Sequence, residues 1–173
     1  MDRAHLAGDL SIENLRGVGV GIYQNSMHIG LLCKDVSGKA LRFIHLAFHE
    51  DLREEDDTSK CFQWVEAKIE EEQADVVAAQ ARLIYRINGA GGIPYGFSPY
   101  GGYFGAKGEI RWSAPGNGLT CATFVLAVFD RGGIALVKGE TWPSSRAGDK
   151  EFQRKMVDEI RSIPKARNPI LRV

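Results

Sequence analysis

Met27-His28-Ile29-Gly30-Leu31-Leu32-Cys33 and Ala40-Leu41-Arg42-Phe43-Ile44-His45-Leu46-Ala47-Phe48 flank Asp35-Val36-Ser37-Gly38-Lys39. Two apolar runs separated by Ser-Gly chemistry predict a β-hairpin. With Ser37-Gly38 as its turn, His45 falls opposite Gly30 and His28 opposite Ala47. Opposed residues share a face and side chains alternate along a strand, so the two imidazoles become diagonal neighbours on one face. A register slip of two residues preserves this arrangement, and a slip of one destroys it. Gly30 and Ala47 are small and are expected to leave room over the rings for another group. His49 has the same parity and would extend the row, although Glu50 and Asp51 signal the end of the strand. His45-x-x-x-His49 has metal-binding spacing on a helix but not on a strand, and no metal site is expected.

Each histidine alone also suits a hydrogen-bonded core position. What gives the pair chemical interest is a second stretch, Gly116-Asn117-Gly118-Leu119-Thr120-Cys121-Ala122-Thr123-Phe124-Val125-Leu126-Ala127-Val128-Phe129-Asp130-Arg131-Gly132-Gly133. Thr120 reads as an N-cap, Phe124, Val125, Val128 and Phe129 recur at helical spacing, and the glycine pair stops the helix. Cys121 then sits in the first turn, where unpaired N–H groups and the helix dipole favour a thiolate. The same cysteine shares a face with Phe124, Val125 and Val128, so a packing role fits the local sequence as well.

Elsewhere the pattern is less sharp. Gly17-Val18-Gly19-Val20-Gly21-Ile22-Tyr23 lacks dinucleotide-binding spacing and reads as a glycine-bearing strand or approach loop. Residues 50–60 read as a charged, solvated connector ending in the N-cap candidates Thr58 and Ser59. Residues 61–88 read as helical, with a bend or break at Glu70-Glu71-Glu72, and Cys61 as packing. Residues 88–108 hold eight glycines with Tyr95, Phe97, Tyr100, Tyr103 and Phe104; such a segment suits a groove wall or lid, or a β-rich stretch with bulges. Strands are expected at Glu109–Ser113 and Gly133–Val137, and a loop at Thr141–Ser145. An amphipathic helix capped by Asp149 is expected to run to Ser162 with Phe152, Met156, Val157 and Ile160 inward. The tail at about 164–173 is expected to be extended or flexible.

A chain of 173 residues, 44% hydrophobic and 25% charged, fits one domain, 1–173, with an ordinary core. Its 22 basic residues balance 22 acidic ones, which argues against nucleic acid or an anionic membrane surface as partner. Three cysteines, Cys33, Cys61 and Cys121, without C-x-x-C spacing argue against a disulfide framework or zinc knuckle. No run reaches the length of a membrane span and the N-terminus lacks a signal-like apolar core. The expected location is cytoplasmic, or reached by export without a cleavable signal.

All four histidines, 5, 28, 45 and 49, precede Cys121, the reverse of papain order. His28-Ile29-Gly30 on a first strand, a polar residue on its neighbour, a helical insertion at about 58–88 and a Cys-x-x-Phe-Val helix resemble the circularly permuted branch of the NlpC/P60 papain-like superfamily. That branch includes the lecithin:retinol acyltransferase-like proteins, the bacterial YiiX-like hydrolases and, more loosely, the permuted deSUMOylating isopeptidases. Pro94-Tyr95-Gly96-Phe97 with Gly101-Gly102 resembles the aromatic-glycine stretch before the NlpC/P60 nucleophile. The likeness covers roughly residues 20–50 and 93–131, and Thr120-Cys121-Ala122-Thr123 departs from the commoner Asp-Cys-Ser-Gly and Asn-Cys-Glu forms.

The resemblance implies an α+β fold, a small antiparallel sheet packed on the nucleophile helix. It implies a triad of Cys121 as nucleophile, His28 as base and acid, and His45 orienting His28, with His49 or Glu50 as alternatives for the third place. The Cys121 N–H would help hold the oxyanion, with Tyr23, Gln24 and Asn117 as unranked further donors. The implied reaction is cleavage of an amide, in a peptide, peptidoglycan peptide or isopeptide, through an acyl-thioester and without a cofactor. Two alternatives stand beside it: thiol-dependent transfer or hydrolysis of a lipid acyl group, and a catalytically silent binding domain.

Overall fold

The computed structural model describes residues 5–6, 9–23, 28–56, 58, 61–97, 102–111, 117–138 and 147–163. The strands are β1 (His5–Leu6), β2 (Gly19–Tyr23), β3 (Ile29–Lys34), β4 (Leu41–Phe48), β5 (Asp51–Glu55) and β6 (Cys61–Glu66). They form one antiparallel sheet in the order β1-β6-β2-β3-β4-β5, five strands extended at one edge by the two-residue β1. Helices α1 (Glu71–Asn88), α2 (Cys121–Arg131) and α3 (Asp149–Ser162) complete an α+β fold.

The β3–β4 hairpin forms where its turn chemistry predicts. The Asp35 carboxylate accepts the N–H groups of Lys39 and Ala40 and the Ser37 hydroxyl, and Gly38 adopts φ 69°, a value costly for any residue with a Cβ. Leu31 pairs with Ile44 and Leu32 with Phe43, so continuing that register sets Gly30 opposite His45 and His28 opposite Ala47. Strand alternation then sorts the sheet into two cores. Leu31, Cys33, Ile44, Leu46 and Leu52 face α1 and α2, where they meet Val77, Ala81, Ile84, Phe124 and Val128. Leu32, Leu41, Phe43 and Trp64 face the other way, under Leu15, Leu10 and Ile12. Each large side chain removed from water in these layers contributes about 1.5–3 kcal/mol.

Several sequence expectations give way to tertiary pairing. Residues 58–88 are not helical throughout: Cys61–Glu66 is a strand, with Val65 against Val20 and Trp64 against Gly21, and only Glu71–Asn88 is helix. The helical spacing of Val65 and Ile69 lost to the vacant edge of β2, since strand preference depends on what the neighbours offer. The cap of α1 is therefore not Thr58: Glu70 with Gln73 makes its capping box. The charged connector contains β5, paired to β4 through a tight turn at His49-Glu50 in which Glu50 takes φ 56°. Ile110 makes one isolated bridge to Phe104 and 134–136 form no strand, although Ile134 and Leu136 pack on the core. Gly148 rather than Asp149 caps α3, and the face expected to be buried is not, with Phe152 exposed and Met156, Val157 and Ile160 half-buried.

Of the glycine-rich segment, Tyr103 and Phe104 are core residues rather than groove wall. Asn88 ties the segment down, its amide donating to Gly108 O and its carbonyl accepting from Ile110 N–H, and Arg131 donates to the carbonyls of Gly105 and Ala106. Gln24, Met27, Ser59, Tyr100, the 141–145 loop and the 164–173 tail lie outside the described residues. Among the described residues no helix is long and apolar enough to cross a membrane.

Candidate active site

The histidine pair is joined directly. His28 Nε2 and His45 Nδ1 lie 2.6 Å apart, with ring centroids separated by 4.8 Å and nearly perpendicular planes. His45 is buried and His28 half-buried. The room expected over Gly30 is taken: a Cβ there would come 2.5 Å from Phe43 Cζ and 2.6 Å from His45 Cβ. The pair thus packs on the Phe43 side of the sheet, with Tyr23 against both imidazoles at 5.5 and 5.4 Å between centroids.

Behind His45 stands a residue that the sequence reading left in a solvated loop. Because β5 pairs with β4, Glu55 lies opposite Phe43 and hence on the histidine face. Its Oε1 is 3.4 Å from His45 Nε2 and its Oε2 accepts the Tyr23 hydroxyl at 2.6 Å. Tyr23 has one hydroxyl proton and commits it here, which removes it from the candidate oxyanion donors. Burial, followed by the neighbouring His45, pushes His28 down from 6.5 to about 4. Burial also lowers His45, against an upward pull from Glu55. Both rings are therefore neutral at physiological pH, the state in which an imidazole can act as a base.

His49 and Glu50 do not join this row. His49 Nδ1 accepts the Tyr95 N–H at 3.1 Å, and its buried Nε2 lies 3.8 Å from Glu50 Oε1. Burial raises the Glu50 carboxyl. These two residues form a separate cluster that fixes the backbone at Tyr95.

Cys121 is the first residue of α2 and is 7% exposed. The cap predicted at Thr120 is made: its hydroxyl accepts the Thr123 N–H at 3.1 Å while Thr123 Oγ1 accepts the Thr120 N–H at 2.7 Å. Leu119 N–H donates to Pro94 O and Gly96 N–H to Leu119 O, which brings the 94–96 backbone so close to Gly118 that a Cβ there has no space. This close approach delivers Tyr95 to Cys121, with its phenol against both the backbone N–H and Sγ. Burial first, and the Cys121 sulfur next, push that phenol up to about 12. The Tyr95 phenol thus lies beside the N–H that an oxyanion would use. Asn117 is half-buried just ahead of this turn.

The structure joins His28 to His45 and places Cys121 in contact with Tyr95, not with either imidazole. The two groups lie on opposite faces of the sheet: α2 packs on the Leu31 and Ile44 face, and the histidine pair on the Phe43 face. Tyr95 packs on Phe48 at 5.7 Å. Among the described residues no group of three His, Cys, Asp or Glu side chains is arranged to hold a metal ion.

Set against family models, curated proteins and solved structures, the chain matches none. The functional reading rests on the residues themselves.

Proposed function

We propose that this protein is a cysteine-nucleophile hydrolase that cleaves an amide bond in a peptide, peptidoglycan peptide or isopeptide, on a permuted NlpC/P60-like fold. The observation that supports it best is the 2.6 Å His28–His45 bond, a joined pair of neutral imidazoles in a chain whose Cys121 opens a capped helix on the other face of the sheet. His28 takes the thiol proton, Sγ attacks the carbonyl carbon, and the tetrahedral oxyanion accepts the Cys121 N–H. His28 then returns the proton to the leaving amine, and a water deprotonated by the same ring releases the acyl group from sulfur. This chemistry requires His28 to leave the Phe43 face and reach Cys121, which α2 holds against the other one. His45 orients His28 throughout.

A second reading, acyl transfer or ester hydrolysis on an apolar acyl group, draws support from a row of rings. Tyr95, Phe97 and the exposed Phe152 follow one another at 6.3 and 6.1 Å and lead outward from Cys121. The deciding experiment is the pH dependence of iodoacetamide labelling at Cys121, read by peptide mass spectrometry in the wild type and in His28→Ala. Labelling at neutral pH that slows at least about tenfold in the variant is expected, followed by turnover of amide rather than ester panels. Labelling that is equally slow in both proteins would leave the fold a binding domain.

A further inference from the structure

We infer that Glu55, held by Tyr23, is a positioning residue that sets which nitrogens of the histidine pair carry protons, so that His28 presents a bare Nδ1. The purpose of this device rests on the hydrolase reading; its geometry does not. A hydrogen bond between two neutral imidazoles needs one N–H and one lone pair, and the His28 Nε2 to His45 Nδ1 contact permits two arrangements. In the first, His28 Nε2–H donates to His45 Nδ1, and His45 carries its own proton on Nε2, facing Glu55 Oε1. In the second, His45 Nδ1–H donates to His28 Nε2, and His45 turns a buried lone pair on that carboxylate oxygen.

The choice is electrostatic. His45 Nε2 is shielded from water and, among the described residues, has Glu55 as its facing acceptor at 3.4 Å. An N–H toward a carboxylate attracts and a lone pair repels, and with solvent excluded the difference is not damped. Tyr23 donates to Oε2, which leaves Oε1 turned to the ring. Arg53 NH1 stands 3.9 Å from Oε1 and its guanidinium is held from the other side by Asp51, so the carboxylate stays an acceptor.

With the first arrangement fixed, His28 holds its proton on Nε2 and keeps the Nδ1 lone pair. When that nitrogen takes the Cys121 proton, the imidazolium continues to donate Nε2–H to His45, whose remaining N–H points at the negative charge of Glu55. No proton travels along the row.

The test is two-dimensional NMR of protein labelled with 15N-histidine at neutral pH, which reports the protonated nitrogen of each ring without turnover. The wild type is expected to show Nε2–H on both His28 and His45, with at least about a tenfold preference, the scale of a charge-assisted hydrogen bond. Glu55→Ala is expected to populate both arrangements, while Glu55→Gln, whose amide oxygen still accepts, keeps the bias. A proton on His45 Nδ1 in the wild type, or an unchanged pattern in Glu55→Ala, would overturn the assignment; the wild-type spectrum decides even where Glu55→Ala fails to fold. Cys121 labelling that ignores His28 overturns the hydrolase reading and leaves this result standing.

Discussion

Gly30→Ala adds one methyl group at the point where the hairpin face is fullest. The new Cβ would sit 2.5 Å from Phe43 Cζ, 2.6 Å from His45 Cβ and 2.8 Å from Phe43 Cε2. Carbon atoms rest at about 3.5–4.0 Å, so roughly 1 Å must be found at each contact. Phe43 is fully buried, with Tyr23 at 4.9 Å and His45 at 4.7 Å between ring centroids, so its ring has nowhere to retreat. His45 Cβ moves only with its strand. Overpacking of this kind costs about 1–3 kcal/mol, offset by the roughly 0.5–1 kcal/mol that alanine regains over glycine within a strand. A net loss of about 1–2 kcal/mol lowers the melting temperature of a chain this size by about 2–8 °C. The same shift of roughly 1 Å carries the His28–His45 contact beyond hydrogen-bond range. Thermal unfolding followed by circular dichroism checks the first effect and His28-dependent labelling of Cys121 the second, with Gly91→Ala, which meets nothing within 4 Å, as control. A Gly30→Ala protein that melts with the wild type and labels like it would refute the reasoning.

Acid should destabilise the protein through the histidine pair. The unfolded chain takes up protons near 6.5, whereas folded His28 resists until about 4, so stability is complete above about pH 6.5 and falls as pH drops toward 4. For His28 the loss is on the order of 1–2 kcal/mol once solvent screening of this half-buried ring is allowed for, and urea midpoints that stay flat across that window would contradict it. Thr120→Ala removes the hydroxyl that accepts the Thr123 N–H, leaving the Thr120 N–H to Thr123 Oγ1 half of the box, and is expected to cost about 1 kcal/mol in urea unfolding. Thr120→Asn, which still accepts from the helix, should recover most of it.

The hairpin and the Cys121 helix were legible because their signals are local. Asp35, Ser37 and Gly38 specify one turn, the turn specifies the register, and the register alone sets His28 beside His45. Thr120 likewise announces the helix that it caps. What stayed hidden depends on partners far away in the chain. Asp51–Glu55 carries four charges among five residues and resembles a loop until β4 is there to pair with it. The turn that starts the pairing asks Glu50 for a backbone conformation that a glutamate seldom takes, so no residue type advertised it. Glu55 escaped notice for that reason, not for want of a chemically suggestive side chain. The strand at 61–66 was masked by a different ambiguity, since a short run containing Phe62, Trp64 and Val65 fits either period. The exposed face of α3 shows the limit of periodicity itself, which reports that a face is apolar and not that anything covers it.

The strand that supplies Glu55 is also the last in the sheet order. A terminal strand offers backbone donors and acceptors to any extended chain that drifts past, and its charge is what discourages such recruitment. Asp51, Arg53, Glu54 and Glu55 therefore guard that edge. Neutralising several of them at once to dissect the histidine pair would invite intermolecular β-pairing, and the dissection is safer made one charge at a time.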